Sequence, residues 1–209
     1  MIQLFFPSSG FAWVFVAGLL SLLIAASWSD MRRMIVPKWI SLTTLAVGVI
    51  ASMARGAWLG WAGLTTWILP AGGGLGLGLL DGLLFALAGV AVGFTVMLVL
   101  WILGVCGGGD VKLYAAVGAW VGPLSIFPVL GVAGGCLCCV GMVFVVLKLL
   151  RGKAFKKPTA GKPPKHRVVA FSWPLAVGAL LVLAFLLGRD QLMIRSAIQV
   201  SSQVQNDAH

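Results

Sequence analysis

The chain has 209 residues, 60% of them hydrophobic, and carries 15 Lys and Arg against 5 Asp and no Glu. Only 10% of the residues are charged, where soluble domains carry about a quarter. That is too little polar surface to cover a water-soluble globule, which disfavours soluble enzyme, disordered regulator and nucleic-acid-binding domain together. The net charge of +10 does not point to nucleic acid either, because the basic residues sit between long apolar runs, the pattern of membrane topology.

A transmembrane helix needs about 20 apolar residues, and the chain offers several such runs. The first span is expected from Ala12 to Trp28, ending at Asp30 and followed by Arg32, Arg33, Pro37 and Lys38. The second runs from Val36 to Ala54 and stops at Arg55. Gly56 to Leu80 is uncharged and long enough to cross, but Trp58, Trp61 and Trp67 suit an interfacial belt, and Pro70 with Gly72, Gly73 and Gly74 suits a break. It is read as an interfacial or re-entrant segment, with Asp81 capping the N-terminus of the span that follows. That third span covers Leu83 to Val105 and leads into a glycine loop, Gly107-Gly108-Gly109-Asp110. Lys112 to Leu147 is too long for one helix; Gly122-Pro123 and Pro128 predict a hairpin of two spans. The sixth span is Val168 to Gly188, and residues 189–209 read as a polar tail behind a single membrane domain, 1–188. The 28 glycines suit close helix packing in lipid. A β-barrel is disfavoured, since its short strands alternate apolar and polar residues.

With six spans, twelve of the fifteen basic residues fall on one side, most of them in a loop at residues 148–167. The positive-inside rule makes that side cytoplasmic, with both termini outside. The proline-containing loop 151–167 is read as a flexible segment near anionic lipid.

Among the five aspartates, Asp190 and Asp207 fall in or beside the polar tail, where solvation is the default. Asp30 and Asp110 both fall at cytoplasmic ends of spans. Two carboxylates held together share a proton, because like charges in proximity cannot both ionise easily. One then takes a proton from water while the other donates to a carbonyl oxygen, which is general acid–base amide hydrolysis. No Ser-His or Cys-His pairing is available, since His166 and His209 lie in a loop and the tail. Cys106, Cys136, Cys138 and Cys139 lack histidine partners at zinc-ligand spacing, so they are read as structural, with no metal and no cofactor. Charge neutralisation of Asp30 and Asp110 by Arg32, Arg33 or Lys112 is the alternative role for the pair.

The local motifs favour chemistry. Ser29-Asp30-Met31-Arg32-Arg33-Met34-Ile35-Val36-Pro37 resembles the Asp-x-x-x-x-x-Ile-Pro-Asn element of the type IV prepilin peptidases, aspartic peptidase family A24. Gly107 to Leu113 resembles their Gly-x-Gly-Asp-x-Lys-Leu element, and Phe171-Ser172-Trp173-Pro174-Leu175 with Gly178 is similar to their last span. The resemblance covers about Ala12 to Gly188. It implies an all-α polytopic membrane protein of about six transmembrane helices, with the architecture of the Gly-x-Gly-Asp intramembrane aspartic proteases. It implies Asp30 and Asp110 as the catalytic pair, metal-independent. Gly107, Gly108, Gly109 and Lys112 would bind substrate, the glycines because an extended backbone can approach where side chains are absent. The substrates implied are pilin-like precursors, whose leader is cleaved at the cytoplasmic face of a bacterial inner membrane. The lipid bilayer is the other expected partner and nucleic acid is not one. The family's Ile-Pro-Asn stands here as Val36-Pro37-Lys38, with Ile35 one place early. Only 29 residues precede Asp30, which leaves no room for the cysteine-bearing segment of bifunctional members. The chain therefore looks like the minimal members of tight-adherence or Flp-type pilus systems, without methyltransferase activity. An ion- or proton-coupled transporter and a non-enzymatic secretion-system membrane component are the competing classes. Both aspartates fall near one membrane face and no inverted repeat is visible, which disfavours a transporter. A scaffold gives no reason for paired aspartates on a glycine loop.

Overall fold

A computed structural model of the chain describes residues 4–33, 38–64, 67–69, 74–104, 106–150 and 172–207. Every regular element among them is helical: α1 (Ser9–Arg33), α2 (Lys38–Trp61), α3 (Gly74–Ile102), α4 (Gly108–Leu150) and α5 (Ser172–Asp207). All five are long and apolar enough to cross a membrane. Large side chains such as Trp13, Val14, Trp39, Leu124 and Phe185 stand exposed on the outer faces, as lipid-facing residues do.

The helices pack through small residues. The inward stripe of α2 is Ser41, Thr44, Gly48, Ser52, Gly56 and Gly60, spaced by three or four, and that of α3 includes Gly78, Gly82, Gly89 and Gly93. A Cβ added at Gly56 would lie 2.8 Å from the Gly82 Cα, and one at Gly60 2.8 Å from the Gly78 Cα. The two backbones are thus in direct contact, and α2 and α3 run antiparallel. Gly89 meets the Gly118 carbonyl and Gly93 sits against Tyr114 and Ala115, so α3 and the start of α4 are antiparallel too. Phe11 packs on Trp58 and Phe15 on Trp120, which lines α1 up against α2 and α4.

Residues 108–147 reverse direction as their prolines predict. Gly122 adopts φ 80°, ψ 177°, between Val121 and Pro123. A side chain there would be strained by the positive φ and would strike the Phe85 ring. The Tyr114 hydroxyl donates to the Ile126 carbonyl, a contact open only to a chain that folds back between them. The first arm, residues 108–121, is about 21 Å long at 1.5 Å per residue, short of the roughly 30 Å hydrocarbon core. Five helices therefore qualify as spans while six rods pack. The second arm runs back alongside α5, whose Gly178 lies against the Val129 carbonyl.

Several boundaries differ from the sequence reading. Gly56 to Leu80 is not an independent interfacial segment: Gly56–Trp61 completes α2 and Gly74–Leu80 begins α3, with bends at residues 62–64 and 67–69 between them. Arg55, expected to end the second span, is 2% exposed inside α2. Asp81 does not cap α3, which starts seven residues earlier; it is fully buried and accepts hydrogen bonds from the Ile68 and Leu69 amides. Asp190 is not solvated: it is 3% exposed, and its Oδ2 accepts the Phe5 and Phe6 N–H groups at 2.8 and 2.9 Å. α5 passes residue 188 without a break. The expected loop 151–167 and the Val36-Pro37 turn lie outside the described residues.

Replacing Gly89 or Gly118 by Val should destabilise the bundle by about 3 kcal/mol or more, since the added carbons meet backbone that cannot rotate away. Gly131→Ala, with nothing within 4 Å of the new carbon, should leave stability unchanged or raise it by up to about 1 kcal/mol through helix propensity. Unfolding of the purified protein in detergent checks both.

Candidate active site

The first arm of α4 is the central rod of the bundle. From Val111 to Val121 every residue except Lys112 and Gly118 is a buried hydrophobic, and Gly118 is itself pressed onto the α3 backbone. Trp120 anchors the arm. Its ring meets Phe15 edge-on at 4.9 Å between centroids, and its Nε1 donates to the Thr44 carbonyl at 2.9 Å. Ser52 Oγ donates to the neighbouring Ala119 carbonyl at 2.6 Å. These contacts fix the arm against α1 and α2.

Asp110 stands at the N-terminal end of that rod, in its first turn, and is 7% exposed. Its Oδ2 accepts the Gly107 N–H at 3.1 Å, while its own N–H donates to the Gly107 carbonyl at 3.1 Å. This reciprocal pair closes the glycine loop on itself. On the other side, α3 is stopped by Gly104 at φ 75°, whose N–H donates to the Trp101 carbonyl. The Cys106 thiol donates to the Met97 carbonyl at 3.6 Å. Gly108 is exposed, Gly107 and Gly109 are half-buried, and Lys112 points outward. The Gly108 position is open, with only Trp101 Nε1, at 3.8 Å, within 4 Å of where a Cβ would be.

Asp30 lies in the last turn of α1; its side chain is outside the described residues. The backbone nevertheless fixes its level. Gly18 faces the Trp120 ring, with a Cβ there 3.4 Å from it. From that shared level Asp30 lies about 18 Å along α1 and Asp110 about 15 Å back along α4. Phe11 packs on Trp58, while Gly18 meets the Trp120 ring that also meets Gly48, so α1 runs opposite to α2 and to the first arm of α4, and both displacements run toward the same end. The two sequence-selected aspartates therefore sit at one end of the bundle, with the N-terminus of α2 and the C-terminus of α3. Among the described residues no three of His, Cys, Asp and Glu gather as a metal site.

The model of the Type IV leader peptidase family matches residues 17–148, which take in α1 from Ala17 through most of α4. The chain belongs to this family. A curated relative, the "Type 4 prepilin-like proteins leader peptide-processing enzyme" of Escherichia coli O78:H11 (strain H10407 / ETEC), is 34% identical over 153 residues, or 69% of this chain and 46% of the relative. The chain thus spans about half the length of the curated relative it matches. No solved structure matches it. The matched stretch of this type IV leader peptidase family member contains Asp30, the glycine loop and Asp110.

The Cys106 thiol has its pKa raised, first by burial and then by the negative charge of Asp110. In a variant with Cys136, Cys138 and Cys139 replaced by Ser, Asp110→Asn should speed maleimide labelling of Cys106 near pH 7. Removing the carboxylate lowers the thiol pKa and raises the thiolate fraction. An unchanged rate would mean that Asp110 carries no charge near this thiol.

Proposed function

We propose that the protein is a prepilin leader peptidase, an aspartic endopeptidase that cuts the leader from pilin-like precursors at the cytoplasmic face of the inner membrane. The observation that supports the proposal is the position of residues 30 and 110 at the same end of a bundle whose family match covers both. The basic residues of loop 148–167, Arg32, Arg33 and Lys38 support the orientation, since positive charge is retained on the cytoplasmic side.

In this reading Asp30 and Asp110 share one proton. The ionised carboxylate takes a proton from a water as its oxygen attacks the scissile carbonyl carbon; the protonated one donates to the carbonyl oxygen. Collapse of the tetrahedral intermediate breaks the C–N bond and passes a proton to the leaving amine. The glycine loop gives an unwound substrate backbone room beside Asp110, and the precursor's hydrophobic helix packs in the bilayer against the small-residue spans.

Asp30→Asn and Asp110→Asn should each lower cleavage of a co-expressed pilin precursor by about a thousandfold, because general acid–base groups contribute 10²–10⁴-fold. Thr95→Ala, on the exposed face of α3, serves as the folded control. Near-normal cleavage by either Asn variant would favour the transporter or scaffold reading. Recognition is assigned to shape over charge: long-range terms are screened over about 8 Å, while the glycines beside Asp110 act at contact. Neutralising Lys156, Lys157, Lys162 and Lys165 together should leave cleavage nearly intact, while Gly107→Val or Gly109→Val should suppress it. The reverse pattern would overturn this account of the loop.

A further inference from the structure

The far end of the bundle, opposite Asp110, holds a second polar centre that leader cleavage does not use. Arg55 is buried there in α2, stacked between the Phe5 ring at 4.5 Å and the Phe85 ring at 4.0 Å. A guanidinium has five N–H donors. Nη1 reaches the Phe5 carbonyl at 3.5 Å, a long contact, whereas Nε and Nη2 are buried without a hydrogen-bond partner among the described residues. Asp81 and Asp190 are near enough to attract the charge. Their described acceptor bonds, however, go to the Ile68, Leu69, Phe5 and Phe6 amides and to Arg189. A buried charged donor left unsatisfied is costly, so the arrangement is incomplete among the described residues.

A cavity of about 160 Å³ opens beside it, room for about five waters at 30 Å³ each. Arg55 and Arg189 both line it, and Arg189 Nε is likewise unpartnered among the described residues. Pro123, Leu124 and Ser125, the first residues of the second arm of α4, line a third side. That puts the positive end of a helix dipole at the cavity, and Ser125 adds a hydroxyl. Arg189 is 40% exposed along its side chain, so the cavity is reached from the surface of the far end.

We propose that this cavity binds a phosphate-type anion, held between Arg55 and Arg189 at the N-terminus of the second α4 arm. Two sources carry that chemistry: the phosphodiester of an anionic phospholipid in the leaflet at the far end, and free phosphate. Arginine forks suit either. Asp81 and Asp190 oppose an added anion electrostatically, but each is already turned toward backbone N–H groups.

The test uses the full-length protein in a neutral maltoside detergent, titrated separately with inorganic phosphate, short-chain phosphatidylglycerol and a neutral diacylglycerol of the same chains. Trp67 lines the cavity, so binding should change its fluorescence, and Trp67→Phe should remove that component from the signal. A saturable change with phosphate and phosphatidylglycerol alike assigns a free anion; one with phosphatidylglycerol only assigns a lipid headgroup. In both cases Arg189→Gln should weaken binding about tenfold, the scale of one charge-assisted hydrogen bond, and Arg55→Lys should weaken it as well. If Arg55→Lys does not fold, Arg189→Gln decides. No saturable change with either anion, an equal response to the neutral lipid, or unchanged affinity in Arg189→Gln would overturn the site and leave a cavity holding water only.

Discussion

The structure depends on enclosing one short helix on nearly every side. The first arm of α4 has no lipid-facing stripe between Leu113 and Val121, so it must be surrounded by α1, α2, α3 and its own second arm. In lipid there is no hydrophobic force between helices; packing and hydrogen bonds hold them together. Glycine at Gly89 and Gly118 lets two backbones touch, and Trp120 fills the space where Gly18 and Gly48 leave room. The arm then has one free end, and Asp110 is on it. A carboxylate mounted this way is carried by an element buried on nearly every side, the rigidity that the proposed pairing with Asp30 requires.

The four aspartates within the described helices other than Asp207 differ in what surrounds them more than in chemistry. Asp81 and Asp190 each collect two backbone N–H groups from a non-helical segment and so act as fasteners for bent chain. Asp110 accepts the Gly107 N–H and stands in the first turn of α4, two residues after the exposed Gly108. Asp30 ends α1 at the same level.

Much of this was legible in the chain. Gly122-Pro123 announced the reversal because one residue needs positive φ and the next lacks an N–H. The glycine run marks the break before α4, although the helix begins within it, at Gly108, and not after Asp110. What could not be read was burial of charge. Arg55 looked like the end of a span because a charge in lipid is costly, yet the small-residue stripe at Ser41, Thr44, Gly48, Ser52, Gly56 and Gly60 runs past it unbroken, and that was the available signal. The burial of Asp81 and Asp190 escapes the local sequence in the same way. Their partners lie 12 to 185 residues away in sequence, and no local pattern encodes such a meeting. The span ending at Ala54 and the segment after it were divided at a charge that the fold instead covers with two aromatic rings.

The N-terminal segment bears more than its own weight. Phe5 gives its N–H to Asp190 of the last helix, its carbonyl to Arg55 of the second, and its ring to both that guanidinium and Phe85 of the third. Segments joined this way favour opening as one cooperative unit, which a shared rate of amide exchange would show. Peeling the first residues away would expose Asp190, uncover Arg55 and free one edge of Phe85 in a single event. The beginning of the chain is thereby a keystone for three later helices, and its release is a subglobal unfolding of the far end, not a fraying of a terminus.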